Sequence, residues 1–118
     1  MNKSDSVVII PTYNEKENIE NIINAVFALP VMFDVLIIDD NSPDGTAAIV
    51  ERMQKQWDSR LHLLKRSGKL GLGTAYIMGF KWCLIAGYEF IIEMDADFSH
   101  PPKKLLELRQ ACMMYWWV

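Results

Sequence analysis

SVVIIPTYNEKENIENIINAVFAL, residues 6–29, changes its hydrophobic period half-way along. The opening run, SVVII, is short, β-branched and apolar without alternation, which reads as a strand buried on both faces and broken by Pro11. After it, Ile19, Ile22, Ile23, Val26 and Phe27 fall at the i, i+3, i+4, i+7 and i+8 offsets of one helix face, and Leu29 and Pro30 end the helix. A strand that feeds a helix is a βα unit.

The same switch occurs in three further segments. FDVLIID (33–39) passes through the turn-rich DNSPDG into a helical pattern at Ile49, Val50, Met53 and Trp57, with Ser42 or Asp44 as its cap. RLHLLKR (60–66) leads through SGKLGLG to a helix with Ala75, Met78, Gly79, Trp82, Cys83 and Ala86 on one face and Gly87 at its end. YEFIIEM (88–94) delivers DADFSHPP, and Pro101 or Pro102 suits the first turn of a last helix carrying Leu105, Leu106, Leu108 and Cys112. Strands joined through helices are parallel, and right-handed crossovers place helices on both faces of the sheet. The expected fold is therefore α/β, an open doubly wound sheet that binds its ligand beyond the carboxyl ends of the strands. The polar clusters PTYNE, DDNSPDG, SGKLGLG and DADFSH all follow strands, whereas LPVMF, DS and AG at the other end are short and plain.

A chain of 118 residues allows one domain with a real core. Its 51% apolar and 23% charged residues and net charge of −3 describe a globular protein with no basic surface for nucleic acid. Cys83 and Cys112 lack metal-ligand spacing and read as small buried residues in a reducing compartment. The four apolar residues before Pro11 are too few for a signal-peptide core, and no window reaches a membrane span. A cytoplasmic protein is expected, able to work at the cytoplasmic face of a membrane.

Asp95 and Asp97 are two apart, so on an extended segment they face one side. Two carboxylates repel a nucleotide diphosphate unless a hard divalent cation takes oxygen ligands from both, and that cation also stabilises the departing diphosphate. Asp39 and Asp40 point to opposite faces, so at most one of them faces a ligand, and DDNSPDG reads equally as turn chemistry. Gly68–Gly73 lets a ligand approach the backbone closely, and Lys69 there either meets a phosphate or is solvated. Tyr13 suits base stacking, and Glu15 either accepts from a ring or ribose donor or sits at the start of the helix. His100 is a metal or phosphate contact or a structural residue, and His62 reads as packing.

Four strings in order, VVIIPTYNEKENI, LIIDDNSPDGT, GKLGLGTAYIMGF and MDADFSHPP, cover residues 7–102. Together they resemble the family 2 glycosyltransferases of GT-A fold, and among them the dolichol-phosphate mannosyltransferases. The resemblance implies inverting transfer of mannose from GDP-mannose to a polyprenyl (dolichyl-type) phosphate with Mg²⁺ or Mn²⁺. It places Pro11, Tyr13, Glu15, Ile38 and Asp40 at the nucleotide sugar. Asp95 and Asp97, with Ala96 between them, fall at the catalytic metal and diphosphate motif. Ser99 stands where some members hold the metal with glutamine, and Asn41 where many have glycine. A phosphate acceptor is already anionic, so the want of an obvious general base is consistent with this chemistry.

Relatives continue into a further strand and an acceptor-side region with a GSRY-like segment, whereas this chain closes on MMYWWV. The expectation is a single nucleotide-sugar-binding domain over 1–118, cut short at its C-terminus by truncation or frameshift, with an open sheet edge that favours self-association. The alternatives are a relative using another nucleotide sugar or lipid phosphate, and a nucleotide-binding fragment without turnover. A receiver-type signalling domain is disfavoured, because its acidic pair follows the first strand and here it follows the second.

Overall fold

The computed structural model describes residues 4–68, 70–99 and 101–110 and the backbone of 115–117. Elements alternate as β1 (Ser6–Thr12), α1 (Ile19–Phe27), β2 (Asp34–Asp39), α2 (Thr46–Gln54), β3 (Leu61–Lys65), α3 (Leu72–Ala86), β4 (Phe90–Glu93), α4 (Lys104–Gln110) and β5 (Tyr115–Trp117). All strand pairs are parallel, in the order β3-β2-β1-β4-β5. The fifth strand was not expected from the sequence, because MMYWWV carries no turn and no alternation to mark it. Its backbone pairs Ile91 with Tyr115 and Glu93 with Trp117.

The alternation of side chains along β1 sorts the core into two halves. Val8 and Ile10 join α1, α2 and α4 on one face through Ile22, Val26, Val50, Met53, Leu105 and Leu108. Val7 and Ile9 meet α3 on the other face through Ala75 and Cys83. Burial pushes the Cys83 thiol up to about 12, so it stays protonated and behaves as a small apolar group. Cys112 lies outside the described residues.

Four local readings are corrected. Pro11 does not end β1, which runs on to Thr12 with Pro11 beside Ile38. The Ile9 carbonyl accepts from the Met94 amide and the Thr12 carbonyl from the Asp40 amide, so alternate residues bond opposite neighbours. Pro11 therefore faces the β4 side, past the last pair Ile9–Glu93, where its missing N–H breaks no ladder bond. Met78 leaves the core of α3 and is exposed, because the innermost stripe is the small set Ala75, Gly79 and Cys83. Pro101 and Pro102 precede α4, their carbonyls accepting from the amides of Lys104 and Leu105. The cap of α2 is neither Ser42 nor Asp44 but Gly45 at φ 91°, and Asp44 braces the turn by accepting from the Thr46 amide (3.0 Å).

The end of the sheet opposite the polar loops is closed by buried charge. Asp34 Oδ2 accepts from Tyr88 Oη (2.6 Å) and the Ser4 amide (3.3 Å), with Arg60 Nε 3.9 Å from Oδ1. His62 Nε2 lies 3.4 Å from Tyr88 Oη, and its ring packs on Trp82, in keeping with a packing role. Desolvation raises the Asp34 pKa above 3.8 despite these partners. The folded state thus binds the proton more tightly than the unfolded chain, and stability from this group falls as pH rises from about 4 through the folded pKa. The stability difference between the wild type and Asp34→Asn, read by urea unfolding, is expected to shift against the wild type over that rise; a difference flat in pH would refute it.

Gly79 sets how closely α3 approaches. A Cβ there would lie 2.6 Å from Ile38 Cδ1 and 2.9 Å from Ile9 Cγ2. Gly79→Val is expected to cost about 1–3 kcal/mol by overpacking, measured by denaturant unfolding.

Candidate functional site

β1 and β4 are neighbours in the sheet, and the connections from them leave on the same face but in opposite directions along the strand order. The strand order therefore switches between them, where an open α/β sheet forms its crevice. An open cavity of about 300 Å³ lies there, walled by Pro11–Tyr13 and Glu15 from β1 and its loop, Asp40 after β2, Gly71, Leu72 and Ala75 at the start of α3, and Asp95–Asp97 after β4.

The loops around it are tied to one another. Asp39 Oδ1 accepts from Thr12 Oγ1 and Ser42 Oγ, both at 2.7 Å, and Oδ2 from the Ser42 amide, which makes Asp39 the turn residue of its pair. The Glu15 and Lys16 amides donate to Thr46 Oγ1 (3.0 Å) and Asp44 Oδ2 (3.1 Å). The Glu15 carbonyl accepts from the amides of Asn18 and Ile19, so Glu15 stands in the turn that leads into α1 and also lines the cavity. Asp44 titrates below the usual carboxylate range; its slight burial raises it, but the Thr46 hydroxyl and the amides of Lys16 and Thr46 outweigh that.

Asp40 lines the cavity and is gripped from behind. Arg66 Nε and Nη2 donate to its Oδ1 and Oδ2 at 2.6 and 2.8 Å. The same guanidinium reaches Thr74 Oγ1 (2.9 Å) and the Gly71 carbonyl (3.0 Å), which binds the start of α3 to the end of β2. Donating to the Asp40 carboxylate raises the Arg66 pKa further. Sequence reading passed over Arg66, although its place directly after β3, at the ligand end of the sheet, was a signal for it.

Asp95 and Asp97 both open on the cavity. Asp95 Oδ1 accepts from Tyr76 Oη at 3.2 Å, and burial together with that carboxylate raises the Tyr76 pKa so that the phenol stays a donor. Tyr76, one turn after Leu72, was also missed. Asp97 Oδ1 accepts from the Ser99 amide at 2.9 Å across Phe98, which is held at φ 61°. A bulky side chain costs about 1–2 kcal/mol there, so the turn that aims Asp97 is held by its surroundings. Asn14 and Asn41, in the loops after β1 and β2, also take positive φ, which asparagine tolerates.

Two expected contacts do not line the cavity. Ile38 is fully buried and its side chain turns under α3 at Gly79, because alternation on β2 sends it to that face. Ser99 is exposed and meets Asp97 through its backbone amide, its side chain being too short to join the wall. Lys69 and His100 lie outside the described residues. The donors at Asp95 and Asp97 are oxygens, the chemistry that suits Mg²⁺ or Mn²⁺. No cluster of three His, Cys, Asp or Glu is present among the described residues. The residues thus fit a cation that takes two protein carboxylates and fills its remaining positions with phosphate oxygens and water.

The sequence matches Glycosyl transferase family 2 over residues 7–112. The chain belongs to that family. It is 44% identical over 106 residues to the polyprenol monophosphomannose synthase of Mycolicibacterium smegmatis, covering 90% of this chain and 40% of the relative. It is also 44% identical over 105 residues to the undecaprenyl-phosphate mannosyltransferase of Micrococcus luteus, covering 89% and 43%. The chain thus spans about two-fifths of the length of these relatives. Among solved structures, a mannosyltransferase from Pyrobaculum calidifontis in complex with GDP-Man and Mn²⁺ superposes with a TM-score of 0.70 at 27% identity, over 82% of this chain and 28% of that one. S. aureus TarS in complex with UDP-GlcNAc superposes at 0.71 and 26%, over 88% and 30%. The sheet order and crevice are accordingly those of the GT-A glycosyltransferases.

Removing Arg66 strands a carboxylate that is mostly buried, the two side chains being 6% and 10% exposed. Arg66→Met is expected to cost about 3–5 kcal/mol in urea unfolding, with much of the loss recovered in Arg66→Met/Asp40→Leu. Additive losses in the double variant would show that the pair is not coupled.

Proposed function

We propose that this chain is the nucleotide-sugar-binding domain of a metal-dependent glycosyltransferase that moves mannose from GDP-mannose to a polyprenyl phosphate with inversion. The observation that carries the reading is the pair Asp95 and Asp97 opening on the β1/β4 crevice. The names of the two mannosyl-transferring relatives support the sugar and the acceptor.

Glu15, Asp40, Asp95 and Asp97 all border the cavity, and among these Asp40 is neutralised by Arg66. A diphosphate entering beside Glu15 and Asp95 meets like charge, which makes donor binding dependent on a cation. Asp95 and Asp97 hold that cation, which when bound neutralises the diphosphate as it leaves the sugar. Tyr76 fixes one oxygen of Asp95 and the Ser99 amide one oxygen of Asp97, so both carboxylates are positioned before the donor arrives. Tyr13, 38% exposed at the rim, offers a ring face to the base, and Asp40 and Glu15 offer acceptors to ring or ribose donors. The acceptor phosphate attacks as an anion and needs no deprotonation, so it calls for orientation and charge management alone.

The likeness to TarS with UDP-GlcNAc favours a second reading in which the donor is another nucleotide sugar. Calorimetric titration with GDP-mannose and UDP-GlcNAc, each with Mn²⁺ and again with excess chelator, separates the two. The expected outcome is GDP-mannose binding that chelation abolishes and that Asp97→Ala weakens about a hundredfold or more. Donor binding that survives both changes rules out the assigned metal role. Transfer to a polyprenyl phosphate, assayed beside the titration, distinguishes an enzyme from a binding module without turnover.

A further inference from the structure

α3 is apolar around most of its circumference and carries a single charged residue, Lys81. Ala75, Gly79 and Cys83 are buried against the sheet with Tyr76, Phe80, Trp82 and Ala86 half-buried beside them, which leaves Ile77, Leu84 and Ile85 exposed at 57%, 45% and 89%. At 100° per residue these three, with Met78, flank Lys81 on the side opposite the sheet. Of the ten exposed large apolar side chains among the described residues, four stand on this face, and Leu70 and Leu72 are exposed where the chain enters the helix. A soluble helix normally shows water a polar face, and an apolar one marks a contact surface.

We propose that this outer face of α3 rests on a lipid bilayer containing anionic headgroups. Two observations select that occupant. First, the face lies on the helix that opens at the candidate site: Leu72, the first residue of α3, lines the cavity, and the outward apolar side chains begin at Ile77, about 8 Å further along the axis, and extend to Ile85. A lipid-linked phosphate presented at a membrane surface would reach the cavity from that side, an orientation that rests on the polyprenyl-phosphate reading. Second, the charge is of one sign. Residues 59–88 hold five basic side chains and no acidic one in a chain whose net charge is −3. Arg60, Lys65 and Arg66 are paired with Asp34, Glu51 and Asp40 respectively, whereas Lys81 stands exposed on the face. A twofold contact between two copies centred on this face would bring Lys81 against Lys81 within an apolar interface, where lysine is depleted. At a bilayer the same side chain extends to phosphate headgroups while its apolar neighbours enter the acyl boundary.

The test is flotation of the full chain with vesicles of phosphatidylcholine alone and of phosphatidylcholine mixed with phosphatidylglycerol, free of polyprenyl phosphate. The chain is expected to float with the mixed vesicles. Leu84→Gln/Ile85→Gln should lower its partition at least about tenfold, and Lys81→Glu should remove the preference for the anionic mixture. Circular dichroism and GDP-mannose titration of the variants should match the wild type, since none of these side chains lines the cavity. A wild type that stays with the lipid-free fractions overturns the proposal, as does a double variant that floats equally well. Failure to float, together with a dimer by light scattering that the double variant dissolves, assigns the face to a second copy instead. If flotation behaves as expected but GDP-mannose does not bind, the sugar-nucleotide reading fails and the lipid-facing helix stands.

Discussion

The ladder between β1 and β4 stops at Ile9–Glu93, and the crevice depends on that stop. β1 continues for three more residues paired only to β2, and the first of them with a free side toward β4 is a proline, which has no N–H to leave unsatisfied. The two chains separate there, β1 into the Tyr13 loop and β4 into Asp95–Asp97. Had the ladder continued, the backbone that presents the carboxylates would have been consumed as strand. The same divergence places the acidic residues of β1, β2 and β4 around one opening, although they are up to 82 positions apart in sequence, from Glu15 to Asp97.

Bringing carboxylates together has an electrostatic cost, and each is handled differently. Asp39 is consumed by three hydrogen bonds that hold the turn after β2. Asp40 is matched by a bidentate guanidinium that also reaches the start of α3. Asp95 and Asp97 each receive a hydrogen bond from a neutral group, a phenol or an amide, which orients one oxygen of each. Asp39 and Asp40 are thus committed to holding the loops, whereas Asp95 and Asp97 open on the cavity. At the far end of the sheet the problem takes another form, because Asp34 is buried with Tyr88 and Arg60 and its desolvation is only partly offset.

α3 shows how one packing requirement fixes two surfaces. Its small inner stripe lets the helix lie against Ile9 and Ile38, and this brings Gly71, Leu72 and Ala75 to the cavity wall. That inner contact is made by small side chains, so the large apolar ones of α3 are distributed around the remaining circumference, some half-buried beside the sheet and others facing outward.

The order of strands and helices, the parallel sheet and the ligand end were legible in the sequence because each is a matter of local period and of chain connectivity. Asp95 and Asp97 were legible for the same reason, being a period-two pair after an apolar run. Which of Asp39 and Asp40 would face the opening was not, since adjacent residues on a strand are equivalent until the neighbouring strand and the Thr12 hydroxyl distinguish them. Ile38 passed as a site residue by its position in a motif, and only the sheet's two-sidedness turned its side chain under α3. Arg66 and Tyr76 acquire meaning from partners 26 and 19 residues away, a separation that no local pattern encodes. The continuation of β1 through Pro11 likewise depended on where β4 leaves off. Local chemistry along the chain determined the elements and the loops that carry charge; tertiary packing alone decided which face each residue meets and that Asp40 is the carboxylate Arg66 grips, because burial and ion pairing are properties of neighbours in space.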